Sequence, residues 1–152
     1  MPIQSAGLLM CRIENRVLEF FLIHPGGPFF AKKDEGAWTI PKGLPEGDEE
    51  LLATAKREFF EETGITPRPP FHSIGSIKLK SGKVVYAWSF IGAWDPTQGI
   101  ASNLIKIEWP PRSGKIISIP EADHGAWLSF ERAKIKINPG QLLFLERAKL
   151  LF

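Results

Sequence analysis

Residues 43–65 read GLPEGDEELLATAKREFFEETGI, and the fold turns on how this stretch is read. Asp48 is placed to cap a helix, Glu49 and Glu50 suit its positive end, and Gly64 supplies a stop, so a helix is predicted from about Glu49 to Thr63. Leu52, Ala55 and Phe59 recur at spacings of three and four, an apolar stripe that can pack on a sheet. At about 100° per residue, Glu58, Glu61 and Glu62 share an adjoining face roughly 100° wide. Glu49 and Glu50, taken alone, read as a solvated helix start. The later three lie in the last turns, where the helix dipole disfavours negative charge, and no Lys or Arg follows them within that turn. A divalent cation would compensate them: hard oxygen ligands suit magnesium or manganese, and magnesium works with a few carboxylates, waters and a substrate's phosphates.

Upstream, SAGLLMCRI and RVLEFFLIHP are short apolar runs separated by ENR, which predicts a strand, a turn and a second strand. HPGGPFFAKKDEGAW is rich in Gly, Pro and charge and reads as a loop long enough to be functional; WTIPKG is then a short extended segment kept from helix by Pro41. Downstream, HSIGSIKLK and VVYAWSFIGAW flank SG, a two-residue link of the kind that closes a hairpin. NLIKIEW and GAWLSF supply further strands. ERAKIK and PGQLLFLERAKLL supply helices, the last with Asn138 as N-cap and Pro139 in the first helical position. Strands and helices mix without regular βαβ alternation, which implies a mixed sheet with helices on its faces, an α/β fold.

The 152 residues suit one domain, 1–152, since chains of this size bury roughly 70% of their unfolded surface. Hydrophobic content of 43% with five Trp and eleven Phe fits a globular protein rather than a disordered one. The longest apolar runs fall far short of the roughly 20 residues of a membrane span, and the N-terminus lacks the features of a secretory signal. Cys11 is the only cysteine, so an intramolecular disulfide and a thiolate zinc cluster are excluded and a cytoplasmic setting is expected. A net charge of +2, with no basic stripe to track a backbone, does not announce a nucleic-acid binder. There is no repeat at 20 to 50 residues of the kind that marks a solenoid or propeller.

The 23 residues resemble the Nudix box: Gly, five residues, Glu, seven residues, Arg-Glu, an apolar residue, any residue, Glu-Glu, any residue, Gly, apolar. Here those places hold Gly43, Glu49, Arg57, Glu58, Phe59, Glu61, Glu62, Gly64 and Ile65 without departure. Seven fixed identities, at a usage of roughly 7% each, coincide by chance with a probability on the order of 10⁻⁸. The resemblance implies an α/β/α sandwich around a mixed sheet and a hydrolase that cleaves a nucleoside diphosphate linked to another moiety, with Mg2+ or Mn2+ as cofactor. It implies Glu58, Glu61 and Glu62 as metal ligands, with the Lys42 carbonyl as a further one, and Glu49 and Arg57 as organisers of loop and helix. The metals would neutralise charge on the phosphate oxygens and activate a water, whose proton must pass to a carboxylate. Glu58 and Glu61 are candidates within the box. Outside it Glu121, six positions before Trp127, resembles an accessory glutamate of MutT-like members, with Asp123 and Glu108 behind it as alternatives.

The approach GAWTIPKG resembles Nudix members acting on dinucleoside polyphosphates, and the longer run from His24 resembles a bacterial group of predicted nucleoside triphosphate pyrophosphohydrolases. Lys42 could touch a phosphate, and Lys32 with Lys33 could form a cationic lip, the alternative being solvated loop lysines. Trp38, Phe29, Phe30, Tyr86 and Trp88 offer faces for a base, although aromatic residues in extended segments are more often core. His24, His72 and His124 show no metal-ligand spacing and read as loop histidines. The expected activity is metal-dependent hydrolysis of a nucleoside polyphosphate, with a small-molecule nucleotide as partner. A nucleotide-sensing module without turnover and an RNA 5′-pyrophosphohydrolase are the alternatives; the first commonly loses box glutamates, all of which are present here. The C-terminal LLFLERAKLLF could pack on its own sheet or help a dimer, so the oligomeric state is open.

Overall fold

The computed structural model describes residues 2–152. β1 (Gln4–Glu14) and β2 (Val17–Pro25) form the expected antiparallel hairpin, closed at Asn15 and Arg16, both at positive φ. That conformation matches the twist of the flanking strands. β1 is buried along most of its length, which explains why its sequence runs apolar instead of alternating: it lies centrally in the sheet, covered on both faces.

The strand order is β4-β5-β1-β2-β8, with β4 His72–Lys78, β5 Val84–Ile91 and β8 Ala122–Ser129; the two-residue β3, Lys42–Gly43, also pairs with β1. β1 and β5 run parallel while the remaining pairs are antiparallel, giving a mixed sheet. The connection from β4 to β5 turns at Ser81 and Gly82 but spans residues 79–83, so it is longer than the two-residue link expected from SG. A separate hairpin pairs β6 (Leu104–Glu108) with β7 (Ile116–Pro120). β7 has no counterpart in the sequence reading.

α1 (Leu51–Thr63) lies on one face of the sheet, where Ala55 and Phe59 join Ala6, Leu8, Met10, Phe21, Ile23 and Phe90 in a core and Leu52 packs at its edge. α2 (Phe130–Lys136) and α3 (Leu142–Lys149) cover the other face, where Ala133, Phe144 and Leu145 meet Leu9, Phe20, Leu22, Val85 and Leu128. The result is the expected α/β/α layering. Asn138 accepts from the Gly140 N–H and Pro139 follows it as expected, but the turn they start is a short 3₁₀ segment leading into α3. α1 begins two residues later than predicted. Its N-cap is Glu50, without a side-chain cap, and Asp48 plays no capping role. No helix among the described residues is long and apolar enough to cross a membrane.

Candidate active site

Arg57 is the centre of the site. Its Nε and Nη2 donate to Glu49 Oε2 and Oε1 at 3.0 and 2.9 Å, Nη1 donates to Glu58 Oε1 at 2.9 Å and Glu61 Oε2 at 3.2 Å, and Nη2 also donates to the Leu44 carbonyl. One guanidinium fork thus ties the loop before α1 to two carboxylates of its later turns, geometry that suits Arg and not Lys. Hydrogen bonding from Arg57 holds the Glu49 carboxyl down to about 2, and Glu49 in return raises the guanidinium further above its ordinary value. The Glu58 carboxylate lies against Gly43, where an added Cβ would come within 2.1 Å of its Cδ, so a side chain at this position would displace that carboxylate.

Glu62 is buried, and its Oε2 finds no hydrogen-bond partner among the described residues. Burial, then the adjoining Glu121 carboxylate, pushes its carboxyl up to about 10. Burial also raises Glu58, against the pull of Arg57. One carboxylate oxygen from each of Glu58, Glu62 and Glu121 lies within 4.8 Å of the others. Three half-buried or buried carboxylates with one orphaned oxygen are costly without a cation, and their all-oxygen donor set fits magnesium or manganese.

Glu121 comes to this cluster from outside α1 because the segment before β6 ties both together. The Asn103 N–H donates to the Glu61 carbonyl, the Asn103 carbonyl accepts from the Glu121 N–H, and the Gly26 N–H donates to the Glu121 carbonyl. At the end of α1, Gly64 adopts a left-handed φ of 77° and its N–H returns to the Phe60 carbonyl.

A family model of the NUDIX domain matches residues 1–147. The chain belongs to the NUDIX domain family. Its class is accordingly that of a Nudix pyrophosphohydrolase. Among solved structures, a Caenorhabditis elegans Ap4A hydrolase binary complex aligns with a TM-score of 0.68 at 20% identity, covering 97% of this chain and 96% of that one. The NUDIX domain of Shewanella oneidensis NrtR complexed with ADP ribose aligns at 0.66 and 15% identity, covering 99% and 88%. A MutT protein from Methanosarcina mazei Go1 aligns at 0.61 and 24% identity, covering 99% and 95%. At these identities the likeness is one of fold. No curated protein matches the chain in sequence.

The remaining candidates of this Nudix domain are spread more widely. Lys42, in β3, stands near Glu58 and Glu62; burial, then the neighbouring Lys83, lowers its ammonium from the usual value. Tyr86 pairs with Ala6 across the parallel ladder and therefore faces the α1 side of the sheet, where its hydroxyl accepts a long bond of 3.4 Å from Gln4 Nε2. Trp38 packs instead with the core on the α2 and α3 face, edge-on to His24, its indole N–H bound to Asp34. Lys32 is exposed in the loop, while Lys33 carries its ammonium 3.7 Å over the Phe29 ring. Glu108 accepts from the Arg112 and Gly114 N–H groups and so closes the β6–β7 turn, and Asp123 lies with His24 and His124 rather than with the glutamates. The three histidines are not loop residues: His24 is a buried member of β2, His72 opens β4 and His124 belongs to β8. The sequence reading lacked strand register, which pairs His24 with His124 and could not be counted from spacing along the chain. It also missed Asn103, whose role is carried by backbone bonds that side-chain identity does not advertise.

Proposed function

We propose that this chain acts as a single Nudix domain that hydrolyses the pyrophosphate linkage of a nucleoside polyphosphate, a dinucleoside polyphosphate or a nucleoside triphosphate, in the cytoplasm and with Mg2+ or Mn2+. The observation that carries the reading is the convergence of Glu58, Glu62 and Glu121 around a buried carboxylate oxygen without a partner. Glu58 and Glu62, with Glu61 and the Lys42 carbonyl at the rim, would hold the metal. When bound, it supplies charge neutralisation on the phosphate oxygens and a lowered pKa for attacking water.

Arg57 orients Glu58 and Glu61, and Glu49 in turn fixes Arg57. Because the guanidinium occupies an oxygen of each, Glu58 and Glu61 are the poorer proton acceptors. Glu121 has no guanidinium partner and reaches the cluster from its own loop. We assign to it the proton of the water that attacks phosphorus, while the bridging P–O bond breaks and the departing phosphate takes the electron pair. Lys42 would meet the polyphosphate, and Tyr86 the base, on the α1 face. Lys32 would serve only as a lip at the entrance, and Trp38 would reach the nucleotide only from the far side of the sheet.

A panel of nucleoside triphosphates, diadenosine polyphosphates, nucleotide sugars and ADP-ribose, incubated with magnesium and resolved by chromatography, tests the reading. Rapid cleavage of one class by the wild type, lost in Glu62→Gln and reduced by about 10²–10⁴-fold in Glu121→Gln, is the expected result. A wild type that binds a nucleotide yet leaves every compound intact would replace it with the sensing module.

A further inference from the structure

We propose that His24, Asp123 and His124 form a second metal site, distinct from the glutamate cluster and selective for a borderline divalent ion of the zinc class. His24 in β2 and His124 in β8 are direct partners in the antiparallel ladder, so their rings emerge on one face with centroids 6.4 Å apart. Between them Asp123 Oδ1 lies 2.8 Å from His24 Nδ1 and 2.9 Å from His124 Nδ1, and one ligand atom of each residue falls within 4.8 Å of the other two.

The tautomer of His24 follows from its other nitrogen. Nε2 lies 2.5 Å from the Lys33 carbonyl, which can only accept, so Nε2 carries the proton and Nδ1 turns a lone pair towards Asp123. In the neutral ring, a lone pair and a carboxylate oxygen then face one another at hydrogen-bond distance with nothing between them. A proton or a metal ion between them removes that conflict, and because His124 Nδ1 approaches the same Asp123 oxygen at 2.9 Å, a metal ion can serve all three groups at once. A ring N–H held by a backbone carbonyl, opposite the ligating nitrogen, is also how metal-bound histidines are oriented.

Two imidazole nitrogens and one carboxylate oxygen suit zinc, nickel or copper, whereas the all-oxygen glutamate set suits magnesium, so the two sites would sort their ions by donor chemistry. They are also on opposite sides of the sheet. His24 continues the Phe20–Leu22 row that faces α2 and α3, while Glu58 and Glu62 belong to α1 on the other face. A cavity of about 470 Å³ bordered by Lys33, Asp34 and Trp38 adjoins the three ligands and leaves room for a water or an added donor in a fourth position. Since His24 also holds the Lys33 carbonyl, an ion here would pin the loop between β2 and β3 to the sheet.

The test is calorimetric titration of zinc into the tag-free full chain in excess magnesium, which occupies the glutamate cluster, with His124→Ala beside it. The His124 side chain is 75% exposed, so its removal leaves the core packing intact. The expected result is one saturable zinc site in the wild type, weakened by at least about 10-fold in His124→Ala. Absence of zinc binding in the wild type, or identical binding in the variant, would overturn the proposal and leave the cluster as a hydrogen-bonded latch on the loop. The readout does not involve hydrolysis, so it stands or falls separately from the proposed activity.

Discussion

Two residues that are not carboxylates, Arg57 and Gly43, decide the shape of the cluster. Arg57 replaces several separate interactions by one planar fork, and Lys cannot reproduce the bidentate pair with Glu49 together with the bond to Glu58. Arg57→Lys is expected to lower kcat/KM by about 10- to 100-fold, measured on whichever substrate the panel identifies. Gly43→Ala is expected to do similar harm by a different route, because the new methyl would occupy the place of the Glu58 carboxylate; a crystal structure of the variant with Glu58 unmoved would refute this. The Glu49 carboxyl titrates lower in the folded chain, at about 2, than its ordinary 4.5, and hydrogen bonding from Arg57 is the main cause. The stability it contributes is therefore complete above pH 4.5, declines below that and is lost as pH falls through about 2. Denaturant melts across this acid window should show a shallower decline in Glu49→Gln than in the wild type.

At the scale of elements, α1 was the most legible part of the chain. Its apolar spacing and Gly64 specify which face packs and where the helix stops, and the structure has both. Gly64 combines a φ of 77° with a close neighbour, Ala101, whose Cβ would lie 2.9 Å from an added one. Gly64→Ala should cost about 1 kcal/mol or more in chemical denaturation, and an unchanged midpoint would show that the helix end adjusts freely. The N-terminus of the helix was less legible, because Asp48 is a good cap by type but the Glu49 contact with Arg57 draws the preceding loop into a different course. β7 escaped notice for a different reason: Ile116, Ile117 and Ile119 form a short run whose partner, β6, lies outside the main sheet, so neither strict alternation nor burial on two faces marks it.

For the whole molecule, two cores separated by one sheet hold the helices in place, and Phe59 connects α1 to Phe21 and Phe90 across the first of them. Phe59→Ala should destabilise the fold by about 3–5 kcal/mol, read from denaturant midpoints. The box could be read from sequence because its members lie within one helix and the loop before it, where chain spacing fixes spatial spacing. Glu121 with Asn103, and His24 with Asp123 and His124, come together only through strand order and loop bonds between distant segments, which no local spacing encodes. Trp38 illustrates the same limit: an aromatic residue next to the box in sequence packs on the far face of the sheet. The central claim is that Glu58 and Glu62 hold a divalent cation beside Glu121, and the most direct test is the melting temperature of the wild type and Glu62→Gln with and without manganese. The account predicts that manganese raises the wild-type Tm, and that Glu62→Gln, relieved of a buried carboxylate, melts no lower than the metal-free wild type but no longer responds to the ion. A variant that keeps the full manganese shift, or a wild type that shows none, would contradict it.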